Sequence, residues 1–263
     1  MVSLSNHERN RFFEVPLSEI EAPPIADCTA CPFRESLLQA SHCLPGDVCV
    51  QAESGRQIDR FLKRNPELAP AYLHDSFWER RAIAVRYAPV GRVAELIDDE
   101  DEVVRRAVAY RIPVEHLVRL RNDPDREVRI TVADRLPLDQ LESMVEDADY
   151  LVRAYVAKRL PKGRLFRMIC DADAHVRKHV AERLPTASLA LMAYDADWQV
   201  RRIVAERMDA DSLVVMLNDE EWLIRYLAAE RAPLEAVRKL ADDPCPDVRE
   251  MVSERLGPIL LNP

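Results

Sequence analysis

Residues 152–161 read VRAYVAKRLP and residues 176–185 read VRKHVAERLP, with VRITVADRLP at 128–137. Aligning the first arginine of each copy gives Arg80, Arg105, Arg129, Arg153, Arg177, Arg201, Arg225 and Arg249, a step of 25 followed by six of 24. In this register the odd step comes from one extra residue, Ala88, before Pro89. Self-similarity at such a period marks a stack of supersecondary units, each burying its apolar face on its neighbours.

The positions around the arginine predict what each unit is. Val104, Val128, Val152, Val176, Val200, Ile224 and Val248 stand one residue before it, and Val132, Val156 and Val180 are typical three after. Four after it come seven alanines and Ser253, and seven after it Leu136, Leu160 and Leu184 are typical. Offsets of −1, +3, +4 and +7 trace one face of an α-helix, and the small residue lets the next helix approach closely. Pro113, Pro137, Pro161, Pro185 and Pro233 then stop the helix at +8. Beyond the proline, Leu117, Leu141, Leu165, Leu189 and Leu213 precede Leu120, Met144, Met168, Met192 and Met216 by three. An i, i+3 pair in so short a piece predicts one or two turns of helix, of the α or the 3₁₀ kind. No useful stretch alternates with period two, so strands are not expected.

Aspartates precede the long helix. Asp99, Asp123, Asp147, Asp171, Asp195, Asp219 and Asp243 lie six before the arginine, and Asp101, Asp125, Asp149, Asp173, Asp197 and Glu221 four before. Acids there can cap free N–H groups and complement the helix dipole. On a helical wheel the opening arginine falls inside the packed face, where it needs a carboxylate. Aspartates of its own or the adjacent unit can supply one; for Arg177 the expected counter-charges are Asp171 and Asp173. A second arginine at +6 (Arg86, Arg111, Arg135, Arg159, Arg183, Arg207, Arg231, Arg255) lies in the last turn. A cation there meets free carbonyls.

The bulk numbers agree with helices. Glycine is scarce at 5 against 18 prolines, and the net charge of −9 disfavours a polyanionic partner such as duplex DNA. The start has charges where a signal peptide needs an apolar run, and no apolar run is long enough for a membrane helix. A soluble cytoplasmic protein is expected.

Four of six cysteines crowd into DCTACPFRESLLQASHCLPGDVC as Cys28, Cys31, Cys43 and Cys49, spaced C-x2-C-x11-C-x5-C. Clustered thiols in a cytosolic chain point to a metal site, either tetrahedral zinc or an iron–sulfur cluster, rather than a disulfide. Spacing alone leaves zinc and iron–sulfur open. His42 beside Cys43 is a possible substitute ligand; Cys170 and Cys245 read as isolated thiols.

The unit D-x-D-x-x-V-R-x-x-V-A-x-R-L-P-x-x-x-L-x-x-M resembles the leucine-rich repeat variant, and the four cysteines upstream resemble the iron–sulfur module attached to it. The resemblance spans about residues 28–263. It implies an all-α, right-handed solenoid of about eight 24-residue repeats, alternating α- and 3₁₀-helices, without β-sheet. It also implies a 4Fe-4S cluster ligated by Cys28, Cys31, Cys43 and Cys49, which displaces the zinc alternative. The expected organisation is a tail over 1–27, a cluster module over 28–60 and a solenoid over 61–263. Against the pattern stand His74, Ser76, Glu79 and Ala88 in the first copy, Asp209 in place of a proline, and Cys245 in place of an acid.

No catalytic set is apparent, and four cysteine ligands leave no open iron. The expected function is a non-enzymatic scaffold that binds another protein, its cluster redox-active, sensory or structural. The alternatives are electron transfer and, with the −9 charge against it, nucleic-acid binding through the arginines. No membrane partner is expected.

Overall fold

A computed structural model describes residues 23–257; most of the expected N-terminal tail lies outside the described residues. The described residues fall into two compact units that divide after Ile112, each built of stacked helical layers.

Each typical repeat opens on an aspartate. Asp101, Asp125, Asp149, Asp173 and Asp197 hold extended backbone and accept from N–H groups two or three residues on, replacing partners the first helical turn lacks. Ten residues of α-helix follow in each: Glu102–Arg111, Arg126–Arg135, Tyr150–Arg159, Ala174–Arg183 and Trp198–Arg207. Trp222–Arg231 and Pro246–Leu256 start from Glu221 and Cys245, neither of which caps with its side chain. The stop is imposed by proline. Leu136, before Pro137, is forced to φ −55° and ψ 144°, while its N–H closes the last turn on Val132.

The short element is 3₁₀-helical over Leu141–Met144, Lys162–Met168, Thr186–Met192 and Ser212–Met216. In three repeats it begins with one α-turn, at Val90–Val93, Val114–Leu117 and Leu234–Val237. Leu165 and Met168 eclipse at three residues per turn, so both reach the core. Val128, Val132, Ala133 and Leu136 are wholly buried, and the same offsets recur down the chain. Each such leucine contributes about 1.5–3 kcal/mol of burial. Among the described residues there is no strand, only one bridge between Leu44 and Val48.

The structure corrects the register of the first copy. Arg81, not Arg80, behaves as the opening arginine: its fork grips Asp99, and Nη1 donates to the carbonyls of Asp75 and Ser76. From Arg81 the step to Arg105 is 24, Asp75 falls at −6, Pro89 at +8, and Ala88 is the ordinary +7 residue. Buried Ala84 and Val85 take the +3 and +4 places. The +6 place then belongs to Tyr87, whose hydroxyl donates to Asp59, and Arg86 is an exposed partner of Asp59. Adjacent arginines at 80 and 81 made either alignment readable; Asp75 and Pro89 carried the right one.

The counter-charge of the opening arginine is also corrected. Arg177 pairs with Asp195 of the following repeat, while Asp171 offers it only a carbonyl and Asp173 caps the helix. The same 18-residue reach joins Arg129 to Asp147, Arg153 to Asp171, Arg201 to Asp219 and Arg225 to Asp243. Each aspartate in turn accepts the N–H two residues on, as Asp195 does from Asp197. The second arginine reaches backwards. Arg159, Arg183, Arg207, Arg231 and Arg255 donate to Ala133, Ala157, Ala181, Ala205 and Ala229, near the end of the preceding repeat's helix. The cation does meet free carbonyls, but those of its neighbour.

Candidate metal centre

The cysteine-bearing segment before the repeats is shaped by short turns. Cys28 and Cys31 flank a turn in which the Cys31 N–H reaches the Cys28 carbonyl at 3.4 Å. One π-helical turn, Arg34–Leu38, then returns the chain, and the carbonyl of Leu37 accepts from His42 and Cys43. Leu44 and Val48 exchange hydrogen bonds of 2.8 and 2.7 Å across a tight turn. Gly46 sits there at φ +78°, which glycine adopts without a side-chain clash. Cys43 and Cys49 stand immediately outside that bridge, so closing the turn brings them together.

The four thiols converge on one cavity, walled by Phe33, Val48 and Phe61 among others. The Phe33 and Phe61 rings pack 5.5 Å apart. Cys49 is buried; Cys28, Cys31 and Cys43 are partly exposed. Burial pushes the Cys28 thiol up, and the neighbouring Cys49 and Cys31 add to the shift. Cys43 is raised by burial first and then by Cys31, Cys49 and Cys28. Thiols that oppose each other's ionisation form a site that a cationic group relieves. Among the described residues no three Cys, His, Asp or Glu side chains gather closely enough to hold one metal ion. A single zinc draws its sulfurs to about 2.3 Å from one point.

The walls are held from behind by a helix that the repeat pattern does not announce. Gly55–Arg64 and the 3₁₀-helix Pro66–Tyr72 form a further layer ended by a proline. Buried Gln57, Phe61, Leu62 and Asn65 occupy the −1, +3, +4 and +7 places around Ile58, where an arginine would stand. Asn65 donates to the carbonyls of His42 and Phe61, and its oxygen meets His42 Nδ1 at 3.2 Å. His42 is therefore engaged away from the thiols and does not line the cavity. Arg64 donates to the carbonyl of Ser41, and Arg60 pairs with Asp47.

Arg80 is the residue that sequence reasoning misplaced. Its place is −1, filled by valine or isoleucine in the later repeats, and here it faces the cysteine loop. Nε donates to Val50 at 2.7 Å and Nη2 to Gln51 at 3.1 Å, the two carbonyls after Cys49. Nη1 pairs with Asp75 at 3.0 Å. Tyr72 lies within electrostatic reach of Cys31 and Cys49, its hydroxyl pushed up to about 12 chiefly by burial. Cys170 is exposed and Cys245 half-buried, both outside this cavity.

Residues 24–71 match the family model for the FeS4 cluster of leucine-rich repeat variant proteins, and residues 103–125 match the model of the repeat itself. A solved structure described as a leucine-rich repeat variant with a novel repetitive motif is 60% identical. It covers 89% of this chain and 100% of its own, with a TM-score of 0.84. An uncharacterized 27.7 kDa protein encoded in the nifB 3′ region of Rhodobacter capsulatus is 39% identical over 87 residues. That alignment spans 33% of this chain and 35% of the relative, so the two are comparable over about a third of their lengths. The segment holding the four cysteines is thus a 4Fe-4S cluster module, and the zinc alternative falls away.

Proposed function

The chain belongs to the leucine-rich repeat variant family, and from that premise we propose that it is a non-enzymatic protein-interaction scaffold governed by its cluster. Cys28, Cys31, Cys43 and Cys49 are the proposed ligands, one to each iron. A cluster so held supplies one-electron chemistry or rigidity and leaves no iron free for substrate. The observation that carries the reading is the Arg80 fork on the carbonyls of Val50 and Gln51. It ties the loop bearing Cys49 to the first repeat, so any shift of that loop is felt by the helix Trp78–Tyr87. The repeat arginines support the reading too. Their guanidinium groups are used between layers, as Arg153 is on Asp171, which supports a structural role for the row over a nucleic-acid stripe.

The test is capture of a cross-linked partner from native cells, run with the cluster oxidised and reduced. A partner whose recovery changes with cluster state supports the proposal; enzymatic turnover by the isolated chain overturns it. Electron transfer is the second reading, favoured by the partial exposure of Cys28, Cys31 and Cys43. Voltammetry separates the two, since a cluster destroyed on reduction cannot shuttle electrons.

A further inference from the structure

We propose that the outer face of the last two repeats is a docking groove for an arginine- or lysine-bearing segment of a partner protein. This rests on the scaffold reading and names the partner's chemistry. Trp222, Tyr226 and Met251 line the groove together with Asp247, Glu250 and Glu254. The three acids are exposed and follow one another at i, i+3 and i+7 on the helix Pro246–Leu256. That spacing sets a negative edge of about 10 Å along one helix face. Trp222 is 41% exposed beside it.

None of the three carboxylates has an ion-pair partner among the described residues. The nearby bases are committed elsewhere. Arg225 grips Asp243, Arg231 donates to the carbonyls of Met208 and Ala205, and Arg249 donates to those of Asp243 and Pro244. Arg255 donates to the carbonyls of Ala229 and Ala232. Earlier repeats differ on this same outer face. There Lys178 meets Asp197, His179 meets Glu182, and Arg202 meets Glu206. The charged residues that line the groove are all acidic, and the exposed Arg238 and Lys239 of the same repeats do not line it. A guanidinium gains there from both the ring faces and the carboxylates, and the field speeds its approach. A polyanion is repelled for the same reason.

The probe is a synthetic helical peptide with four arginines on one face, titrated into the full-length, cluster-loaded protein. Nuclear magnetic resonance of the indole N–H groups reads Trp78, Trp198 and Trp222 separately. The Trp222 signal is expected to shift while the other two hold. Glu250→Gln with Glu254→Gln should weaken the peptide about tenfold at low salt. The control pair, Glu115→Gln with Glu146→Gln, exposed in the same unit, should change it by less than about twofold. Thermal unfolding of both variants checks that neither is damaged. Equal shifts at all three tryptophans, equal weakening by both pairs, or no binding each overturn the groove. A partner captured from cells that survives the Glu250/Glu254 change overturns the groove but leaves the scaffold standing.

Discussion

Arg177 and Asp195, 18 residues apart, meet in a two-pronged ion pair of 2.8 and 2.9 Å between consecutive repeats. Arg177 Nη1 meanwhile donates to the carbonyls of Asp171 and Ala172 in its own repeat. One guanidinium thus closes the turn of one repeat and fastens the turn of the next. Its charge is held by Asp195 first and is opposed by burial.

Arg177→Ala is expected to lower stability by about 3 kcal/mol, because it strands a carboxylate only 6% exposed. Arg202→Ala removes an exposed i, i+4 partner of Glu206 and should cost about 0.3–0.5 kcal/mol. Urea unfolding of the two variants side by side decides it. Equal losses would show that the ladder between repeats does not stabilise the stack.

Neighbouring arginines should fail in different ways. Arg80→Met frees the carbonyls of Val50 and Gln51, and cluster loss to a chelator, followed by visible absorption, should quicken about 10–100-fold. Arg81→Met breaks the pair with Asp99 and should reduce thermal stability with the cluster retained. The reverse outcome would return Arg80 to the repeat ladder.

Replacing any one of Cys28, Cys31, Cys43 or Cys49 by alanine is expected to cut bound iron and sulfide together. Cys170→Ser and His42→Ala should leave both unchanged, since neither side chain lines the cavity. Full iron content in one of the four alanine variants would remove that cysteine from the ligand set.

Asp243 is held below the usual carboxylate range, chiefly by the hydrogen bond from Arg225, against its burial. A carboxylate whose folded value is depressed contributes stability above its unfolded value near pH 4, and loses it as the pH falls through the folded one. The unfolding midpoint of wild type relative to Asp243→Asn should therefore be constant from pH 7 to 5 and converge below about pH 4. Convergence already between pH 7 and 5 would assign the effect to another group.

Much of the repeat was legible because its chemistry is local. Offsets of −1, +3, +4 and +7, a capping aspartate and a terminating proline each act within a dozen residues, so one copy specifies its own helix. The cysteine ring was legible as a set of donors, and the resemblance supplied the cluster. The zinc alternative persisted in the residues alone because C-x2-C-x11-C-x5-C records no distance between thiols.

What the chain itself determined, then, is the layer: a ten-residue helix, a proline stop and a short 3₁₀ return, with arginines turned inward. Tertiary structure alone decided which layer answers each arginine. Asp171, six residues before Arg177, is closer in sequence than Asp195, yet stacking lays the next repeat's turn against the fork and gives Asp171 to Arg153. At residues 80 and 81 the sequence already held the register, in Asp75 and Pro89, but only the tertiary structure shows the roles: Arg80 faces the cysteine loop and Arg81 the following repeat, a brace of the metal centre beside a rung of the ladder.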